Sequence, residues 1–226
     1  TPESYGVTVY KMGFCTSNPG NPTGSSVLAG SDPDYSSCSW AYENTTGEAA
    51  SFAAGGSIDL SDKFAKDPAV GTYSYAVMLI GKDFLIKGKF GPVGGNTYYS
   101  TSTFESSSTD IDDYATTTAP LNSFGGSGNC TAYTEDESVT GGTISAYLLN
   151  SSGTMLENDS SLSKCSGQEK LLGVMNMSTD LNITERTKGL KMTFTVTNNG
   201  MSVLANRTGT DIYMDSGPFS VTFDTF

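Results

Sequence analysis

Apolar and polar positions alternate with period two along most of this chain, and apolar residues nowhere recur at helical spacing over a useful length. Near the start, in "SYGVTVYKMGFC", Val7 and Val9 share one face; the phase then flips, and Tyr10, Met12 and Phe14 carry the alternation on to Cys15. This predicts an opening strand. In "TYSYAVMLIGKDFLIKGKF", Tyr73, Tyr75, Val77 and Leu79 alternate with Ser74, Ala76, Met78 and Ile80, so apolar groups occupy both faces and a central strand is expected. Gly81 to Asp83 reads as a turn. Beyond it Phe84, Ile86, Gly88 and Phe90 alternate with Leu85, Lys87 and Lys89, which predicts a hairpin whose second strand shows one face to water.

A second hairpin is predicted in "LKMTFTVTNNGMSVLA". Leu190, Met192, Phe194 and Val196 oppose Lys191, Thr193, Thr195 and Thr197, and Asn198, Asn199 and Gly200 offer turn chemistry suited to positive φ. "GSIDL", "GGTISAYLLN", "LLGVM", "DIYM" and "FSVTFDTF" supply further strands, while "SDKFAKD" allows at most a turn or two of helix, with Ser61 as its cap. Residues 16–37, dense in Pro, Gly, Asn and Ser, form a long loop. Residues 91–128 hold one Tyr/Thr-rich strand near 97–104 and then a connection that is either a domain boundary or a crossover between sheets. About ten strands and no convincing helix define an all-β chain: an antiparallel β-sandwich of jelly-roll or immunoglobulin-like type. It reads as one domain over 1–226, with a subdivision allowed near 105–128.

Composition narrows what such a sandwich does. With 226 residues, 36% hydrophobic and only 16% charged, it is a soluble, turn-rich chain with a sizeable core. Twelve basic residues against 24 acidic ones give a net charge of -12, and the basic residues form no cluster, so nucleic acid and anionic membrane surfaces are poor partners; neither nucleic-acid binding nor a membrane span is expected. The absence of histidine removes Ser-His-Asp and Cys-His nucleophiles and histidine-bearing zinc sites, and no enzymatic activity is expected.

Cys15, Cys38, Cys130 and Cys165 show no CxxC spacing and fall into an N-terminal and a C-terminal pair. Cys15 with Cys38 and Cys130 with Cys165 is the simplest of three connectivities. The opening "TPES", without an initiator Met, reads as an end left by a signal peptidase, and no apolar run approaches the roughly 18 residues of a membrane-spanning helix. Export to an oxidising exterior is the expectation.

Candidate sites follow from side-chain chemistry. Sequons stand at Asn44, Asn129, Asn150, Asn158, Asn176, Asn182 and Asn206, about twice the number chance would give, and are glycosylation candidates. Asp110, Asp112 and Asp113 in "DIDDY" put three carboxylates within four residues, the preferred calcium site; Asp32 with Asp34, and Glu135 to Glu137, are lesser acidic clusters. The competing reading of each is solvated loop charge. Trp40, Tyr42, Tyr98 and Tyr99 could stack on sugar rings, set against ordinary cross-strand packing.

Two functional readings emerge. In the first the chain is a subunit of an extracellular filament or pilus, a homopolymer in which residues 1–14 are donated to the next copy. Tyr5, Val7, Val9, Tyr10, Met12 and Phe14 then fill its groove, and head-to-tail repetition makes a fibre. In the second it is a secreted carbohydrate-binding or adhesive module with a glycan or surface ligand. The stretch "SFAAGGSIDL" resembles the "F-x-A-G-x-hydrophobic-D-L" strand near the mature N-terminus of the TasA/camelysin family, secreted β-sandwich proteins that form biofilm fibres by donating a strand. The resemblance covers about ten residues, lies some 50 residues into the chain, and implies an extracellular matrix or pilus role.

Overall fold

The computed structural model describes residues 2–53, 65–125, 128–188, 190–195, 201–205, 212–216 and 220–225. Its strands are β1 (Ser4–Cys15), β2 (Cys38–Ala53), β3 (Gly71–Gly81), β4 (Asp83–Lys87), β5 (Lys89–Val93), β6 (Asn96–Ser100), β7 (Ser107–Ser108) and β8 (Thr117–Pro120). They continue with β9 (Tyr133–Val139), β10 (Gly142–Asn150), β11 (Gln168–Ile183), β12 (Leu190–Thr195), β13 (Met201–Ala205), β14 (Ile212–Ser216) and β15 (Ser220–Thr225). Among the described residues the helical content is two one-turn 3₁₀ segments, Tyr35–Ser37 and Ile111–Asp113. The fold is an all-β, antiparallel sandwich. Both expected disulfides are formed, Cys15–Cys38 and Cys130–Cys165.

Eight strands make the principal sheet in the order β8-β4-β1-β3-β11-β10-β9, with β2 paired to β1. Strands on both sides of residues 105–128 therefore enter one sheet. The hairpin expected at Gly81 does not form. Instead β3 and β4 succeed one another along the same edge of β1, with Ile80 opposite Val9 and Leu85 opposite Gly6. The physical reason is phase: Met78, Ile80, Phe84 and Ile86 are all even-numbered and all enter one core, so a bent strand buries them together without a reversal. On its far edge β3 pairs with β11 while β4 pairs with β8, and the sheet curls where the two meet.

The second expected hairpin is also re-paired. β12 lies against β15, and β13 against β14 with Ala205 opposite Ile212, so β12 and β13 are not partners. This arrangement carries Met201, Ile212 and Met214 into the main core, where each is at most 8% exposed. The proposed turn residues Asn198 to Gly200, the "GSIDL" strand and the Ser61 cap lie outside the described residues.

Each face of the sheet has its own cover. One face, built from Tyr5, Val7, Val9, Ile80, Ile86 and Leu148, lies under the β13–β14 ribbon and the Cys130–Cys165 bridge. The other, built from Val77, Leu79, Tyr147, Leu149, Leu172 and Val174, lies under the long loop of residues 16–37, which contributes Val27, Leu28 and Tyr35. Asn18 Nδ2 donates to the Tyr147 hydroxyl at 2.8 Å, and Gly20 sits so close to that ring that a Cβ would collide with it. A loop rich in Gly and Pro is thus used as a second layer.

The in-out alternation of β4 is testable. Ile86 is fully buried, so Ile86→Ala should lower unfolding free energy in urea by about 2–5 kcal/mol. Leu85 is 42% exposed, and its alanine variant should cost less than about 1 kcal/mol.

Candidate assembly site

The opening strand lies in the interior of its own sheet. β2 follows β1 along one edge from Ser4 to Cys15, and β4 and β3 share the other edge. Tyr5, Val7, Val9 and Phe14 are at most 4% exposed, and Tyr10 and Met12 are half-buried. All six residues singled out as groove fillers therefore have a place in the chain's own core. Each of the three N-terminal ones is worth about 1.5–3 kcal/mol of burial, so the space they occupy is a strongly apolar groove.

That groove has three walls. β2 presents Ala50, β4 presents Phe84 and Ile86, and the roof is Met201, Ile212 and Met214 from β13–β14. Tyr5 and Phe84 rings meet at 5.8 Å. Gly88 fits between Pro2 and Met201, where a Cβ would crowd the Met201 sulfur. At the open end the backbone N–H of Glu3 donates to the Lys87 carbonyl at 2.7 Å, and the Glu3 carboxylate accepts from the Tyr114 hydroxyl at 2.7 Å. Lys87 Nζ lies 4.4 Å above the Tyr114 ring.

Register against β2 breaks twice in this strand, between Val9 and Lys11 and between Met12 and Gly13, and the first break is shared with β3. Val9 faces Glu48 of β2 but Lys11 faces Glu43, so residues 44–47 stand opposite Tyr10 alone. Against β3, Val9 faces Ile80 and Lys11 faces Leu79, leaving Tyr10 unmatched there as well. Asn44, 3% exposed, holds the bulged turn: its Oδ1 accepts from the Thr46 backbone N–H at 3.0 Å and the Thr46 hydroxyl at 2.9 Å. Gly47 at φ +79 completes the turn where any Cβ would strike Thr8 and Tyr10. Lys11 and Lys66 both pair with Glu43 beside it, and their hydrogen bonds hold that carboxyl below the usual range.

Other predicted residues fall elsewhere. Asn44 leaves no room for a glycan while the turn is closed, whereas Asn129, Asn158, Asn176 and Asn182 are exposed and Asn150 is half-buried; Asn206 lies outside the described residues. Asp110, Asp112 and Asp113 build a one-turn 3₁₀ segment, in which Asp110 Oδ1 accepts from the Asp112 N–H at 3.0 Å and Asp113 Oδ2 from the Ser108 hydroxyl at 2.6 Å. Among the described residues no three acidic or cysteine side chains surround a common metal position. Trp40 and Tyr42 point to opposite faces, because a register shift between Gly13 opposite Trp40 and Met12 opposite Tyr42 separates them. Tyr42 is 3% exposed, and Trp40 meets Tyr35 edge-on at 5.2 Å. Tyr99 packs on Tyr114 at 5.2 Å and Tyr98 against the main core. No helix among the described residues is long and apolar enough to cross a membrane.

One group in the roof has no counterpart in the sequence reading. Asp215, on β14 opposite Ser202, is half-buried, and desolvation pushes its carboxyl above the ordinary value. Glu105 adds to the shift; the Ser216 N–H, which donates to Asp215 Oδ1 at 2.6 Å, and Lys164 oppose it. Its charge also helps raise the Tyr5 phenol, although burial is the larger cause. Compared with protein-family models, curated proteins and solved structures, the chain gives no match.

The raised Asp215 carboxyl fixes a sign. The folded state holds this proton more tightly than the unfolded chain, so the contribution favours folding below the ordinary carboxylate value near 3.8 and is lost as pH rises through the raised one. Asp215→Asn should match the wild type in urea midpoint at pH 3 and exceed it at pH 7. Equal midpoints at both pH values would contradict the desolvation.

Proposed function

We propose that this chain is a structural subunit of an extracellular fibre, polymerising when its N-terminal strand occupies the groove of the next copy. The carrying observation is that β1 is central and its groove self-complementary: three near-completely buried side chains, Tyr5, Val7 and Val9, fill an apolar groove that the identical segment of a second copy fits equally well. Exchange of an identical element is a low-cost route from monomer to assembly, and a head-to-tail contact that does not close gives a fibre.

The sheet edges support the same reading. β9 bears Glu135, Asp136 and Glu137, with Asp136 at φ +56, and β8 ends in Pro120. Charge, backbone irregularity and proline all discourage edge-to-edge pairing at these two ends of the sheet, and exchange of an interior strand needs neither of them. Two disulfides suit a durable exoprotein in an oxidising setting, and no catalytic role is part of this reading.

Size-exclusion chromatography and negative-stain microscopy of the full chain over rising concentration should show filaments. Replacing Val7 and Val9 together by Asp should abolish them and lower stability. A synthetic peptide of residues 1–9 added to the wild type should cap growth. A wild-type chain that stays monomeric at every concentration would overturn the proposal.

A further inference from the structure

Resting on that reading, we infer that only Ser4–Val9 crosses to the neighbouring copy, with Tyr10 as the hinge, while Lys11–Cys15 remains in its own sheet. The partner surface is then the three-walled groove of a second copy of this chain, cut to six residues rather than to the whole strand.

The register breaks carry this. β1 is continuous in sequence but is two strands in its pairing: Ser4–Val9 keeps one register with β2, and Lys11–Cys15 keeps others after the insertion of residues 44–47. The break with β3 falls at the same residue. Tyr10 is thus the one position in β1 whose ladder is interrupted on both edges, so turning the backbone there disturbs the fewest hydrogen bonds. Its ring, half-buried, is held from outside by Lys170 Nζ at 4.9 Å rather than by the groove.

The two halves also differ in what restrains them. Beyond the hinge, Cys15 is fully buried and bonded to Cys38, Phe14 packs on Tyr73 at 6.1 Å, and Met12 and Lys11 pair with Met78 and Leu79 in the middle of the sheet. Before the hinge, the restraints are side chains in a groove, the ladder of Ser4–Val9 with β2 and of Ser4–Gly6 with short β4, and the Glu3 contacts at the open end, with no covalent tie. A swap of the complete strand would drag the disulfide partner apart or force the bridge to form between chains; a swap at Tyr10 leaves it untouched.

The test uses where disulfides fall in assembled protein. Thr8 and Ala49 are cross-strand partners outside the core, so Thr8→Cys with Ala49→Cys reports on the exchanged half, and Cys15–Cys38 reports on the other. The added thiols are kept free with a weak reductant during assembly and oxidised afterwards; samples are then denatured without reductant and run on gels. The inference expects a covalent ladder for the double variant and monomers only for the wild type. Ladders in both would keep strand exchange but place the hinge beyond Cys15, overturning the inference alone. Filaments that give monomers in both would overturn strand exchange itself and the inference with it.

Discussion

The structure depends on one strand being hydrogen-bonded along both edges. β1 is where the two ends of the curled sheet join: β3 leads from it to β11, β10 and β9, and β4 leads from it to β8, while β2 closes its other side. A strand in that position satisfies most of its own backbone groups and provides the template for two others. Its side chains divide accordingly, Tyr5, Val7 and Val9 filling the core under β13–β14 and Cys15 anchoring the core under the long loop. Sheet, roof and loop layer therefore meet on a single segment within the first 15 residues.

The second layer over the far face shows how a chain with few apolar residues covers a sheet. Tyr147 is the organising group: its ring receives Gly20, and its hydroxyl accepts from Asn18 and donates to Glu135 Oε1 at 3.2 Å, which also accepts from Asn21 at 3.0 Å. Polar loop residues are thereby fixed at a buried aromatic, and the backbone N–H of Gly30 and that of Met155 tie the far end of the loop to the segment after β10. Asn, Gly and Pro here do work that a helix or second sheet performs in a more apolar protein.

How much of this was legible in the chain depends on whether the deciding forces are local. The flip of phase between Val9 and Tyr10 is visible in the letters and corresponds to the bulge; the pairing of four cysteines was legible from their spacing. The central character of β3 was legible from apolar residues on both faces. Gly81 to Asp83 misled because turn chemistry states only that a chain can reverse. The shared phase of Met78, Ile80, Phe84 and Ile86 decides that it continues there, and the expected pairing of β12 with β13 yields to the long-range pairing of β12 with β15. Trp40 and Tyr42, two apart, should share a face, and only the register shift between them sends Tyr42 inward. The half-buried Asp215 was illegible for the same reason: nothing near it in sequence announces that β14 will become a roof.

The placement of the Cys15–Cys38 bridge at the inner end of the β1–β2 ribbon has a mechanical side. Tension applied at the N-terminus loads Ser4–Val9 in shear, parallel to the strand axis, so hydrogen bonds to β2 and β4 on both flanks share the load instead of yielding one after another. A strand at about 3.3 Å per residue is already near full extension, so once those bonds yield, Ser4–Cys15 lengthens very little before the bridge draws taut. From there the pull passes covalently into β2, bypassing the long loop between them. The segment behaves as a short, nearly inextensible tether on a fixed stop, and the force it passes on enters the sandwich at Cys15 and Cys38.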